Sequence, residues 1–480
     1  MIQATILALA LAIAFLALHR WRLALLLTLP FGLLADLGRK ATEGQPIYMS
    51  ALVVLPVMAC LVGARRTGVR PILAPFYGRA SLLRVPLILY LLFVLFQCVN
   101  GALTSGSPIV GVIGLVAYSS PVIGLLLGYH YARTASSVGR FLRWYVGLVV
   151  VMAISIVLGR LGVEWSVLEP VGPGLVAYTP SGMALDLETG FFRAAEVAAW
   201  HTAVALCFLF LIVLGRKKVL APVVLLPWLL PLLGGALILT GRRKGIVEVG
   251  LFLLVYLACL AYFRRGAVKT GFTLALVAVA GLAWFTLSTV GEALGILPYV
   301  ERSLNIGSTD VERVHTHSIS SLETVIRRNG YLGAGAGMGS QGAQYFGAGA
   351  ATVGGAAEGG VAKIVAELGV PGLFLMIWLW VGSALVFWRA TRASSRGSVV
   401  PAHFAYGFLG ILFASALTFT IGHQIFGDPL VLVVIGLVAG FLLRMPSLAD
   451  ETRVAWAPRP ALRSHPRDPT AFDRTRSPSR

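Results

Sequence analysis

Charge is scarce in this chain. Only 12% of its 480 residues are charged, and 20 Asp and Glu stand against 39 Lys and Arg. With 57% hydrophobic residues and a mean hydropathy of +0.84, a soluble globular chain is excluded. Cysteine is also scarce. Cys60, Cys98, Cys207 and Cys259 all fall inside apolar runs, which points to packing rather than a disulfide framework or a zinc cluster. No spacing of His, Cys and carboxylates resembles a metal site, and no cofactor is expected. The net charge of +19 would suit nucleic acid, but the basic residues sit mainly in short loops between apolar runs. That distribution marks cytoplasmic loops, so no nucleic-acid partner is expected.

What is abundant is apolar sequence in lengths that fit a bilayer core of roughly 30 Å. Candidate spans fall at about 2–18, 23–37, 47–63, 85–100, 108–129, 141–161, 194–214, 219–239, 246–263, 270–290, 361–387, 404–422 and 429–443. The expected fold is all-α: a polytopic transmembrane bundle of about 12–13 helices. Residues 1–443 form the membrane domain, and 444–480 form a basic, Pro- and Arg-rich cytoplasmic tail, expected to be disordered. Ile2–Leu18 lacks a preceding basic region and a small-residue cleavage site, so it reads as a retained helix. The absence of an internal repeat argues against an inverted-repeat transporter.

Alternating backwards from the tail places every strongly basic loop on one side: Arg389–Arg396, Arg264–Lys269, Arg216–Lys218, Arg133–Arg143, Arg65–Arg84 and Arg20–Arg22. Apart from Asp450, Glu451, Asp468 and Asp473 in the tail, no acid falls on this side. Two large loops, 162–193 and 291–360, then lie outside, the second of them before the third-last helix. The turn Thr240-Gly241-Arg242-Arg243-Lys244-Gly245 is the exception, a tight basic cluster on the wrong side. It opens a helix, whose start already favours an anion, and arginine adds a planar fork of donors suited to phosphate.

Other polar residues have a bland reading beside the functional one. Arg193 can meet Glu196 on one helix face or simply snorkel to water. Glu248, four residues after Lys244, can hold that lysine and leave the arginines to a ligand. The glycines of Gly330–Ser340 permit positive φ and close approach to a ligand, although composition alone favours a flexible linker. Glu358 precedes an apolar helix, as a general base or as an acid complementing the helix dipole. Glu367 lies within that helix, where an acid needs a partner or a cavity. His315 and His317 can titrate near neutral pH, or be ordinary solvated surface.

Taken together, these elements resemble the O-antigen ligase/polymerase family of bacterial envelope membrane proteins. Thr240-Gly241-Arg242-Arg243-Lys244-Gly245 resembles the family's Thr-x-Ser-Arg-Gly turn, with Arg242 where serine is usual. Gly330–Gly337 is similar to its Gly-x-Gly-x-Gly segment, Phe192-Arg193 to its upstream arginine motif, and Ala366–Leu373 to its helix after the large loop. The resemblance implies a multi-pass protein of the bacterial inner membrane, with its site facing the periplasm. It implies metal-independent glycan transfer from an undecaprenyl-diphosphate-linked oligosaccharide, as in exopolysaccharide biosynthesis. Arg193, Arg242 and Arg243 would bind the donor diphosphate, and Glu196, Lys244, Glu248 and Glu367 would support them. Glu358 stands where ligases typically carry histidine, which favours a polysaccharide polymerase over a ligase acting on a lipid or protein acceptor. Glu358 would be the catalytic base or an orienting group, and His317 or His315 could supply the missing imidazole. Membrane lipid, a chain-length regulator and a flippase of the same pathway are the candidate partners. A transporter or flippase of a lipid-linked or anionic substrate is the alternative from another class.

Overall fold

The computed structural model describes residues 1–69, 72–171, 176–179, 181–214, 221–264, 292–304, 321–340, 343–346, 353 and 359–456. Long helices dominate: α1 (Ile2–Lys40), α2 (Val54–Arg66), α3 (Arg84–Ser105), α4 (Pro108–Tyr131) and α5 (Ala135–Arg160). A short antiparallel ribbon follows, β1 (Val176–Tyr178) and β2 (Ala184–Asp186), with Ala177 opposite Leu185. Then come α6 (Ala195–Leu214), α7 (Ala221–Leu239), α8 (Arg243–Phe263), the short α9 (Leu297–Leu304) and α10 (Ser321–Asn329). The chain ends in α11 (Gly360–Ser395), α12 (Val399–Ile421) and α13 (Pro429–Trp456). Ten helices among the described residues are long and apolar enough to cross a membrane, which makes this a polytopic helical bundle.

The 162–193 loop holds the two short strands, a local ribbon within a bundle that is otherwise helical as expected. Three features depart from the expected outline. α1 covers two predicted spans, with a non-helical residue at Arg20, and Ile6 packs against Gly38. A straight helix would hold those residues roughly 48 Å apart, so α1 folds back on itself at Arg20. α13 runs past the predicted end at 443 to Trp456, so the first part of the tail is helical. α11 is longer than predicted and is broken at Gly369, which has φ 68° and ψ −172°. The predicted span 270–290 lies outside the described residues.

α13 is the bundle's centre. Gly124 and Gly128 of α4 sit against Val433 O and Leu437 O, while Gly436 and Gly440 of α13 sit against Pro121 O and Leu125 O. Two small-xxx-small stripes therefore face each other, letting the backbones touch where lipid offers no hydrophobic drive for association.

The loops sort to two ends. At one end, Arg22 donates to His130 O at 3.3 Å, His130 Nε2 lies 2.8 Å from Ile72 O, and Arg264 donates to Gly397 O at 3.2 Å. Arg79 reaches Asp450 at 3.5 Å at this same basic end. Asp36, Asp428 and Glu196 gather at the other end with Arg193, and the turn holding Arg242 lies with them.

Candidate functional site

Arg193 is the centre of the acid-bearing end. Its Nη1 lies 2.5 Å from Asp428 and 3.4 Å from Asp36, and all three side chains are largely buried. Ser50 donates to Asp36 at 2.9 Å, and Asp428 caps α13 by accepting Val431 N–H at 3.0 Å. Lys40 donates to Thr189 Oγ1 at 3.0 Å and to Gly190 O at 2.6 Å, and Phe191 N–H donates to Ser155 Oγ at 2.8 Å. One corner thus ties α1, α5, α6 and α13 together. Burial, the largest single influence, would push the Asp428 carboxyl up, but the Arg193 guanidinium, His201 and the Val431 N–H together hold it below its ordinary value. Burial would likewise lower Arg193, and the two carboxylates raise it instead.

The predicted Arg193–Glu196 pairing does not form. Arg193 takes Asp36 and Asp428, while Glu196 turns to Arg242 at 2.6 Å. The reason is distance in charge: two buried carboxylates outbid one neighbour at the helix start. The predicted Lys244–Glu248 pairing is also replaced. Lys244 donates to Gln424 at 3.2 Å, and the buried Glu248 accepts from Ser415 at 2.5 Å. Residues i and i+4 share a face, but α12 supplies a nearer donor to the acid and the 424–427 turn a nearer acceptor to the lysine.

The Arg242 turn is built for its place. Thr240 Oγ1 donates to Leu237 O at 2.6 Å, and Gly241 takes φ 63°, so the chain reverses between α7 and α8. Arg242 and Arg243 stand at the start of the 21-residue α8, where the helix dipole is positive. Burial pushes the Arg242 guanidinium below its ordinary value, against the pull of Glu196. Arg242 Nε is buried without a hydrogen-bond partner among the described residues. An orphaned cationic donor of this kind calls for an anion or water.

The glycine run is not a flexible linker. Ala334 N–H and Gly335 N–H donate to Ala366 O (2.8 Å) and Glu367 O (3.1 Å), carbonyls released by the break at Gly369. Val370 N–H returns a bond to Tyr331 O at 2.9 Å, and Ala336 N–H reaches Gln97 O at 2.8 Å. A Cβ on Gly335 or Gly337 would overlap the backbone of Gly101 or Val110. Glu367 locks this union, accepting Tyr118 O–H at 2.5 Å and Gly339 N–H at 2.8 Å, with Lys363 at 3.3 Å. Its need for partners is met by the loop and by its own helix.

Glu358, His315 and His317 lie outside the described residues, and Glu248 and Glu367 stand in networks of their own. The start of α11 does approach the arginine corner: Gly360 packs on Phe419, which meets Phe426 edge-on at 5.1 Å. Phe426 is flanked by Gln424 and Asp428, the partners of Lys244 and Arg193. Sequence reading missed Asp36, Lys40, Gln424 and Asp428. A lone acid within an apolar run was the available signal for Asp36.

Fold and site together define a multi-pass helical membrane protein with an arginine-rich corner at the acid-bearing end of its bundle. No family model matches the sequence, and no curated protein is significantly similar to it.

Proposed function

We propose that this protein transfers glycan from a polyprenyl-diphosphate-linked donor, joining repeat units of a surface polysaccharide, at the periplasmic face of a bacterial inner membrane. The observation that carries this reading is the Arg242 corner: a half-buried guanidinium that pairs with Glu196 while its Nε stays buried and unpartnered among the described residues, beside Arg243 and Lys244 at a helix start, at the end remote from the basic loops. The positive-inside rule puts those basic loops in the cytoplasm and hence the corner outside.

In the reaction, an acceptor sugar hydroxyl attacks the anomeric carbon of the donor glycan. The new C–O bond forms as the bond to the diphosphate breaks, and the polyprenyl diphosphate leaves with the electron pair. Arg242 and Arg243 stabilise the negative charge that develops there. The hydroxyl proton passes to a carboxylate, for which Glu358, two residues before Gly360, is the candidate. Arg193 has a different role from the one the resemblance implies. Two carboxylates already neutralise it, so it holds the corner rather than the ligand.

The break in α11 is the feature that favours a transporter, since transporters bind substrate at interrupted helices. Here Ala366 O and Glu367 O accept loop N–H groups and Val370 N–H donates to Tyr331 O, so these groups are not offered to a cargo. The test is the mass distribution of polyprenyl-diphosphate-linked glycans in cells lacking the protein. Accumulated single units without polymer support a polymerase, and long lipid-linked polymer indicates a ligase. Single units confined to the cytoplasmic leaflet would reject both in favour of transport.

A further inference from the structure

A cavity of about 610 Å³ opens at the acid-bearing end, between the end of α5, the 163–170 segment and the strand-to-helix stretch after β2. Its wall carries Glu164, Glu169, Asp186 and Glu188 together with Trp165. Trp165 is 50% exposed and is held by two turns of its own backbone, Trp165 N–H to Val163 O and Leu168 N–H to Trp165 O. Phe191 meets it edge-on, with ring centroids 5.6 Å apart and an interplanar angle of 86°. The indole thus lines the hollow and packs against Phe191.

The carboxylates are spread around the space. Among the described residues, no group of three or more His, Cys, Asp or Glu is gathered as a metal would need. Dispersed acceptors around an aromatic platform suit a ligand with many hydroxyl donors and apolar ring faces. Burial raises the Glu188 carboxyl above its ordinary value, with Asp186 adding and Arg160 opposing.

The cavity adjoins the arginine corner. Leu187, in its wall, packs so closely on Gly241 that a Cβ there would overlap it, and Gly241 precedes Arg242. Glu188 N–H donates to Leu239 O at 3.3 Å. α9 straps the outside: Tyr299 O–H donates to Asp186 O at 2.7 Å, and Arg302 reaches Tyr178 O. On the other flank, Thr189 in the cavity wall takes the Lys40 ammonium.

We propose that this cavity is the acceptor-glycan site, with Trp165 stacking on a sugar ring and Glu188 and its neighbours accepting sugar hydroxyls. The inference rests on the reading of the Arg242 corner as the donor site. The 162–193 loop, rather than the larger 291–360 loop, then chooses the acceptor.

The test measures two bindings separately on the purified full-length protein in lipid nanodiscs. One probe is repeat-unit glycan released from the host's lipid-linked pool by mild acid; the other is farnesyl diphosphate. Glycan binding should weaken at least tenfold in Trp165→Ala and in Glu188→Gln, survive in Trp165→Tyr, and be unchanged in Arg242→Ala. Farnesyl diphosphate should show the reverse dependence, which also reports that the Trp165 and Glu188 variants are folded. Glycan binding that is absent from the parent protein, or equal in parent, Trp165→Ala and Glu188→Gln, overturns the acceptor site. Loss of farnesyl diphosphate binding in Arg242→Ala would leave the donor reading standing in that case. Failure of the parent protein to bind farnesyl diphosphate sinks the donor reading and this inference with it.

Discussion

Replacing Arg193 with alanine separates a structural arginine from a ligand-binding one. In the parent protein its guanidinium faces Asp428 at 2.5 Å and Asp36 at 3.4 Å. Arg193→Ala leaves two carboxylates buried together, and breaking a buried pair costs about 3–5 kcal/mol. The fold has one escape, which is to protonate a carboxyl. At pH 7, about three units above an ordinary Asp value, that costs about 4 kcal/mol, falling to about 1.4 kcal/mol at pH 5. The sign follows from Asp428. With Arg193 present its carboxyl is held low, a stability contribution kept above the ordinary Asp value and lost only as pH falls through the depressed one. Without Arg193 its carboxyl is raised, a penalty that is greatest at high pH and fades as pH falls. The gap between parent and variant should therefore shrink by more than half from pH 7 to pH 5. Urea unfolding in detergent micelles at both pH values measures it. A gap below about 1 kcal/mol at pH 7, or one that does not change with pH, would refute the reasoning.

Other expectations follow from single contacts. Arg242→Ala removes an ion pair in which Arg242 is 24% and Glu196 15% exposed, so unfolding should shift by about 1 kcal/mol while lipid-linked glycan extension is lost in complemented cells. Gly335→Ala puts a Cβ into the Gly101 backbone at φ 106°, and should lower stability by about 3 kcal/mol or prevent accumulation in the membrane. Glu367→Gln strands the buried Lys363 and weakens the hold on Gly339, so protease should cut the 330–340 loop faster, whereas Tyr331→Ala at the exposed tip should not matter. Glu188→Gln should raise the unfolding midpoint at pH 8 and leave it unchanged at pH 4. A raised carboxyl favours the fold only while protonated, and that contribution is lost as pH rises through its folded value.

Helix positions were legible because the bilayer demands a length of apolar chain, and nothing else in the sequence competes with that signal. The hairpin at Arg20 was readable as two spans because Arg20 and Arg22 interrupt the run. The grouping of loops into a basic end and an acid-bearing end followed from charge, and Arg22–His130, Arg79–Asp450 and Arg264–Gly397 now join those loops in space. Pairings were not legible. Spacing along one helix offered Glu196 to Arg193 and Glu248 to Lys244, but α1, α12 and the 424–427 turn bring in partners far away in sequence. The glycine run failed for a related reason: composition describes a chain in isolation, whereas Ala334 and Gly335 find their acceptors on the broken α11. The Arg242 turn was visible as a tight basic cluster set apart from the other basic loops. What closed the corner, Asp428 and Asp36 around Arg193, was visible only once the bundle was assembled.

The most direct test of glycan transfer is to incubate the purified protein, in lipid, with a polyprenyl-diphosphate-linked oligosaccharide and follow the products by mass spectrometry. The account predicts longer lipid-linked glycans, with one polyprenyl diphosphate released per unit joined, and neither product from Arg242→Ala. Recovery of the donor unchanged, or extension that persists undiminished in Arg242→Ala, would contradict it.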